Sequence, residues 1–399
     1  MEELNRILGS YVVSNEETKG KLPGAALVVV NKDEVLCHAA SGRIGVSPGS
    51  AGFTPRSFTW IASSTKIITA TALMQLVERG LVGLDDDVRP HVSQLAEMQV
   101  LKGFDGDKPI LENNTKPITL RQLLTHTVGL GYDIADPELI RWSKAVGRTC
   151  TNLGYTLDGW FTPLKFAPGE GWYYGSAVDW AGQVLEKITG KSLGEYMAEN
   201  IFKPLSMEDT TFYRESLPHT EGRQVECSYR DAETGELCAV PHPVPANPPI
   251  NSGGAGLYTT ALDHAKVLQA LLKASVSGGI VRKETVDEMF RPQLSEVQHG
   301  MLKYLTDMFH DGMVPDFPPG TSIQHGISGI INLEDVPGKR RKGSMMWLGM
   351  ANSHWFIDRE TGIAATLMVN VMPLPDQVVI KLWDELERAI YNDLLPAVR

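Results

Sequence analysis

The chain has 399 residues, more than one hydrophobic core usually serves, so one large composite domain or two interleaved ones is expected. Its 37 lysines and arginines against 48 aspartates and glutamates give a formal charge of −11, which argues against nucleic acid as the main partner. No run is long and apolar enough to cross a bilayer, and Cys37, Cys150, Cys227 and Cys238 form no Cys-x-x-Cys pair, as suits reduced thiols.

The first residues, Met1-Glu2-Glu3-Leu4-Asn5-Arg6-Ile7-Leu8, are amphipathic with no basic region before an apolar stretch, so no secretory signal is read and the expected location is cytoplasmic. A helix over residues 2–18 leads to a buried strand over 25–30, a polar turn at Asn31-Lys32-Asp33 and a second strand over 35–40, together a hairpin. A long helix opens at Ser63 and stops at Gly80, a residue suited to a left-handed cap. Residues 86–250 read as helical and loop-rich, with helices over 119–126, 178–189 and 193–201 and no regular strand pattern. Pro241, Pro243, Pro245, Pro248 and Pro249 make an extended crossing before Gly253-Gly254-Ala255-Gly256 turns into a helix over 260–274. Strand-like runs return at 326–332, 343–350, 354–358 and 363–370, antiparallel in expectation, and a helix over 377–394 closes the chain. Strands at both ends with helices between them give an α/β (α+β) fold: a sheet domain from residues 1–85 and 251–399, interrupted by a mostly helical domain of residues 86–250.

The most informative residues open the long helix. Ser63-Ser64-Thr65-Lys66 places a lysine three positions after a serine, on the same helical face. The following Ile67-Ile68-Thr69-Ala70-Thr71-Ala72-Leu73-Met74-Gln75-Leu76-Val77 carries no charge, so the helix is expected to be buried and Lys66 with it. Burial disfavours an ammonium, and a lysine that sheds its proton more readily can take one from a hydroxyl. Unpaired N–H groups in a first helical turn also favour negative charge on the serine oxygen. The plainer reading makes Ser63 a helix cap and Lys66 a side chain reaching for solvent. Against it stands Pro168-Gly169-Glu170-Gly171-Trp172-Tyr173-Tyr174-Gly175-Ser176, where a Pro-Gly turn runs through aromatics into a helix and offers the serine a tyrosine.

Competing motifs are weaker. Gly45-Val46-Ser47-Pro48-Gly49 matches the spacing of a nucleophile elbow, but the residue after that serine must lend a backbone N–H, and Pro48 has none. The ten histidines show no metal-binding spacing, so no metal is expected, and His126 reads as a packed, hydrogen-bonded structural residue. Gly253-Gly254-Ala255-Gly256 lacks the lysine and hydroxyl of a phosphate loop. Lys339-Arg340-Arg341-Lys342 is adequately explained as a loop between strands.

Ser63-x-x-Lys66, the Tyr174 segment, Leu123-Leu124-Thr125-His126-Thr127-Val128-Gly129-Leu130 and Gly253-Gly254-Ala255-Gly256-Leu257-Tyr258-Thr259-Thr260 together resemble the class C β-lactamase and serine-esterase family of penicillin-recognising enzymes. Glu78-Arg79-Gly80-Leu81-Val82, Val100-Leu101-Lys102-Gly103-Phe104-Asp105 and Asp179-Trp180-Ala181-Gly182 resemble in particular its fungal polyketide acyltransferases, typified by the lovastatin-pathway transesterase. The likeness runs through nearly the whole chain in the same order. It implies a β-lactamase/transpeptidase-like antiparallel sheet flanked by helices, an inserted helical domain and an active site between them. It further implies Ser63 as the acylated nucleophile, with Lys66 and Tyr174 moving its proton.

Two departures from the family pattern bear on substrate. Ser176 stands where the lactamases have an asparagine, and their Lys-Thr-Gly strand is not matched with conviction by Lys342-Gly343-Ser344. Register against the transesterases instead sets Trp347-Leu348-Gly349-Met350-Ala351-Asn352 beside the nucleophile, which makes the N–H groups of Ser63 and Met350 the expected oxyanion donors. Tyr132, Trp172, Tyr173, Trp347 and Trp355 are candidates to line the cleft, set against the plainer reading that aromatics near a sheet belong to the core. The expected activity is transfer of a short acyl group from a carrier-protein or coenzyme A thioester to a small-molecule hydroxyl, without a cofactor. A plain esterase and a non-catalytic binding protein on the same fold are the alternatives.

Overall fold

The computed structural model describes residues 2–14 and 17–398. In its first half the strands are β1 (Gly24–Asn31), β2 (Val35–Gly42), β3 (Thr59–Trp60), β4 (Gln99–Asp105), β5 (Lys108–Asn113), β6 (Ser228–Arg230) and β7 (Leu237–Ala239). Thereafter come β8 (Tyr258–Thr259), β9 (Ile323–His325), β10 (Ile330–Asn332), β11 (Met345–Leu348), β12 (His354–Asp358), β13 (Ile363–Met368) and β14 (Val371–Met372). Seven of them form one antiparallel sheet in the order β2-β1-β13-β12-β11-β10-β9, so both ends of the chain build it. The architecture is an open antiparallel sheet flanked by helices.

β1 is apolar over Ala25 to Val30 and buried on both faces, as are β12 and β13, which is the pattern of central strands covered by helices. The Ala261–Ser277 helix packs on β1 and β13, while the Glu2–Tyr11 helix packs on β2 and on the Gln377–Ala389 helix. The β1–β2 turn is set by Asn31, whose side-chain oxygen accepts from the N–H groups of Asp33 and Glu34 at 2.8 Å.

The Thr65–Glu78 helix is buried throughout from Thr65 to Leu76. Burial of Ile67, Ile68, Leu73, Met74 and Leu76 contributes about 1.5–3 kcal/mol each, which offsets the cost of carrying Lys66 inside. The helix stops at Gly80, φ +68°, with the Leu81 N–H donating back to the Leu76 carbonyl at 3.0 Å.

Several expectations need correction. The first helix ends at Tyr11 rather than near residue 18, because the chain then pairs Val12 with Leu22; residues 15 and 16 lie outside the described residues. Residues 326–332 are not one strand: Gly326 to Gly329 turn between β9 and β10, the Gly326 N–H donating to the Gly329 carbonyl at 2.8 Å. Residues 86–250 do contain strands. β4 and β5 form a hairpin whose alternation is blurred because both of its faces reach solvent, and Gly106-Asp107 is its turn.

The basic run 339–342 is a loop, but half of it points inward. Arg340 is fully buried and donates to both oxygens of Glu387 at 2.8 and 2.7 Å and to Asp316 at 2.9 Å. All four cysteines are free thiols.

Candidate active site

The nucleophile candidate sits at the end of a short pairing. β3 is bonded to β8 through Thr59 opposite Thr259, and the chain then enters a tight 3-10 turn, Ala62–Ser64, just before the long helix. Ala62 has φ +44°, a left-handed conformation that costs a non-glycine residue about 1–3 kcal/mol. The strain is held by the Ser64 N–H donating to the Ile61 carbonyl at 3.0 Å, and by the hydroxyls of Ser64 and Ser353, also 3.0 Å apart. Ser63 therefore lies in the 3-10 turn, two residues before the first α-helical position at Thr65.

One turn on, Lys66 has only 1 % of its surface exposed. Its Nζ reaches Ser63 Oγ at 3.1 Å, the Tyr132 hydroxyl at 3.2 Å and the Gly254 carbonyl at 2.8 Å, three acceptors for three donors. The Gly254 loop is itself pinned by Asp179, whose Oδ1 accepts from the Ser252 hydroxyl at 2.5 Å and the Gly254 N–H at 3.0 Å. Burial pushes the Asp179 carboxyl up, and the charge of Lys66 and these two hydrogen bonds pull it back. Burial also pushes the Tyr132 phenol well up, reinforced by Tyr174 and Asp179, so Tyr132 keeps its proton.

Tyr174 arrives from the segment before the Ala177–Thr189 helix. A Cβ on Gly175 would lie 2.3 Å from the Leu130 carbonyl oxygen, so only glycine lets this segment press against residues 130–131. The Tyr174 hydroxyl then lies 2.6 Å from Ser63 Oγ, with Lys66 Nζ 4.8 Å from the centre of its ring. From the far side the Trp347 indole N–H donates to the Tyr174 hydroxyl at 3.2 Å.

Trp347 belongs to β11, and the next residues close in on the nucleophile. A Cβ on Gly349 would come within 2.5 Å of the Ile61 carbonyl oxygen, so glycine is required where β11 meets the Ser63 turn. Met350 follows at the edge of the cavity, whereas Lys342 is exposed in the turn before β11, away from the cavity lining. Above Ser63 opens a cavity of about 410 Å³, walled largely by Trp60, Tyr132, Leu153, Tyr155, Tyr174, Trp347, Leu348 and Met350.

Ser63, Lys66, Tyr174, Tyr132, Trp347 and Met350 thus come together. Three of the predicted lining aromatics do not join them. Trp172 is fully buried, its ring packed 6.2 Å from that of His126 and 5.7 Å from that of His325, and it does not reach the cavity lining. Trp355 is fully buried opposite Trp347, one strand further from the serine. Tyr173 lines a neighbouring groove and donates its hydroxyl to Asp136. His126 is packed as expected, its ring 4.8 Å from that of Tyr174, but its Nδ1 finds no hydrogen-bond partner. Burial, aided by the charge of Lys66, pushes this imidazole far below its ordinary range. Asp179 with Ser252 escaped sequence reasoning as site residues, since neither falls in a spacing that marks a ligand to a lysine-binding loop. No group of three or more His, Cys, Asp or Glu among the described residues is placed to hold a metal ion.

A family model described as Beta-lactamase matches residues 12–388. The chain belongs to the beta-lactamase family. Among relatives, a lovastatin esterase from Penicillium rubens is 32% identical over 343 residues, covering 84% of each chain. A monacolin J acid methylbutanoyltransferase from Aspergillus terreus is 35% identical over 338 residues, covering 83% of this chain and 81% of its own. Among solved structures, a mutant simvastatin synthase from Aspergillus terreus superposes with a TM-score of 0.89 at 30% identity, covering 98% of this chain and 95% of the other. Within the beta-lactamase family the chain therefore groups with esterases and acyltransferases, and it is an enzyme.

Proposed function

We propose that the protein is a serine acyltransferase of polyketide-type specialised metabolism, moving a short acyl group from a thioester to a small-molecule hydroxyl through acyl-Ser63. The observation that carries the reading is the convergence on Ser63 Oγ of the Tyr174 hydroxyl at 2.6 Å and Lys66 Nζ at 3.1 Å at the floor of an apolar cavity. Ser63 Oγ attacks the thioester carbonyl while its proton passes to the Tyr174–Lys66 pair. The backbone N–H groups of Ser63 and Met350 receive the oxyanion; a missing donor of this kind costs about 10²–10³ in rate. The proton then goes to the departing thiolate, the thiol leaves, and the acceptor hydroxyl attacks acyl-Ser63 by the same steps in reverse. The donor is a thioester on an acyl carrier protein or coenzyme A. Names that speak of methylbutanoyl transfer for a relative covering most of the chain support a short branched acyl group.

The second reading is an esterase, supported by the lovastatin esterase among the relatives. Water and alcohol compete for the same intermediate, and an acceptor held in a dry cavity has a large effective concentration. Intact-protein mass spectrometry after mixing with short acyl thioesters and p-nitrophenyl esters separates the two. An adduct absent from Ser63→Ala that persists in water and clears on adding an alcohol is the expected result. An adduct that clears at once in water makes the protein an esterase, and no adduct with any donor refutes acylation of Ser63.

A further inference from the structure

The chemistry of the cavity walls says what the acceptor is made of. Among the described residues that line the cavity above Ser63 there is no lysine, arginine or histidine, and the one carboxylate is Asp179. Lys66 is the nearest cation, but it is 1 % exposed and its Nζ already faces Ser63, Tyr132 and the Gly254 carbonyl. A carboxylate entering this space would shed its hydration and meet chiefly aromatic rings, aliphatic side chains and a like charge, while Asn152, Tyr155, Tyr174 and Ser252 already donate to groups of the protein.

The way in has the same character. The groove that adjoins the cavity shares Tyr132, Tyr174, Met313 and Leu374 with it and carries Asp136, Asp307 and Asp311 on its walls. Each of these carboxylates has a local partner: Asp136 takes Lys165 and Tyr173, Asp307 takes Lys303, and Asp311 takes His310 and Gln377. Lys165 and Lys303 are thereby spoken for and offer little to an incoming anion. The rim itself is apolar and solvent-facing, with Ile134 40 % and Phe309 56 % exposed. Exposed apolar groups at the mouth of an apolar cavity mark a surface that meets an apolar ligand.

We propose that the acyl acceptor of this enzyme is a neutral, apolar alcohol, and that a free carboxylate on the acceptor is selected against. The inference rests on the acyl-Ser63 reading and adds the substrate class to it. It sets this chain apart from a relative whose name specifies an acid as its acceptor.

The test uses 4-(hydroxymethyl)cyclohexanecarboxylic acid and its methyl ester as acceptors, with p-nitrophenyl butyrate as donor, at pH 8. The rate at which each acceptor clears the butyryl-Ser63 adduct is read by mass spectrometry. The neutral ester is expected to clear it at least about tenfold faster, the discrimination a poorly matched group meets in an apolar pocket. In Ile134→Arg, which sets a guanidinium on the exposed rim without burying it, the acid is expected to gain and the ratio to shrink. Equal clearance by the two acceptors, or faster clearance by the acid, in the wild type overturns the proposal while leaving acyl-Ser63 standing. Failure to form the adduct removes the serine reading and this proposal with it.

Discussion

Replacing Tyr174 by phenylalanine isolates the contribution of a single oxygen atom. The ring keeps its packing against His126, Tyr132 and Trp347, at centroid separations of 4.8, 5.4 and 5.0 Å, so the cavity retains its shape. What goes is the hydroxyl 2.6 Å from Ser63 Oγ and 3.2 Å from the Trp347 indole nitrogen. A positioned proton-transfer group contributes about 10²–10⁴ in rate, or about 2.7–5.4 kcal/mol at 1.36 kcal/mol per decade. Loss of the same oxygen leaves the buried Trp347 N–H without an acceptor, which costs about 1–3 kcal/mol of stability. The assay is stopped-flow release of p-nitrophenolate from p-nitrophenyl butyrate under single-turnover conditions, with thermal unfolding measured alongside. Acylation is expected to slow by about two to four decades while the protein stays folded. Trp347→Phe removes the second hydrogen bond, about 1 kcal/mol, together with part of the cavity wall, and is expected to slow acylation at least about fivefold. A Tyr174→Phe enzyme within about threefold of wild type would refute the assignment of Tyr174 to proton transfer, since general acid–base groups are not that dispensable.

Two further predictions concern the scaffold that holds the site. Arg340→Met leaves Asp316 and Glu387 buried without their guanidinium and is expected to cost about 3–5 kcal/mol in urea unfolding, with the activity of the folded fraction unchanged; a loss below about 1 kcal/mol would mean the two carboxyls are satisfied by other groups. Burial pushes the His264 imidazole down to about 4, with Thr366 as its hydrogen-bond partner at 3.0 Å. Its folded value is thus below the free value of about 6.5, so the unfolded state binds the proton first. The stabilisation is complete above pH 6.5 and lost as pH falls towards 4, by up to about 3 kcal/mol. His325, also pushed down to about 4 by burial, adds in the same direction. Urea titrations between pH 7 and 4 are expected to show this slope and His264→Gln to reduce it, leaving the share of His325; a variant with the wild-type slope would place the titration elsewhere.

How much of the site was legible in the sequence depended on whether a contact is local. The spacing of Ser63 and Lys66 is three residues, and a 3-10 turn running into an α-helix sets the two side chains on one face, 3.1 Å apart. The uncharged run after Lys66 announced its burial, and the unbroken apolar stretch of β1 announced a central strand. Tyr174 was legible by a different route, through likeness of a whole segment to a family, because 111 residues separate it from Ser63 and no periodicity spans that distance. The aromatics show the limit most plainly. Trp172, Tyr173 and Tyr174 are consecutive, yet the first is sealed in the core, the second faces a neighbouring groove and the third touches the nucleophile.

Composition and spacing by themselves determined that the protein is a large mixed α/β molecule with a serine and a lysine three residues apart where a buried helix begins. Those properties follow from local sterics and from the hydrophobicity of contiguous residues, which a chain carries wherever it folds. Tertiary structure alone decided which side chains, beyond Tyr174, hold that pair in place. Gly175 against Leu130 and Gly349 against Ile61 set how closely distant segments approach, and Asp179 fixes the loop whose carbonyl holds Lys66. Such contacts join residues far apart in the chain at distances of a few ångströms. Packing selects them, and packing depends on the shape of the whole core.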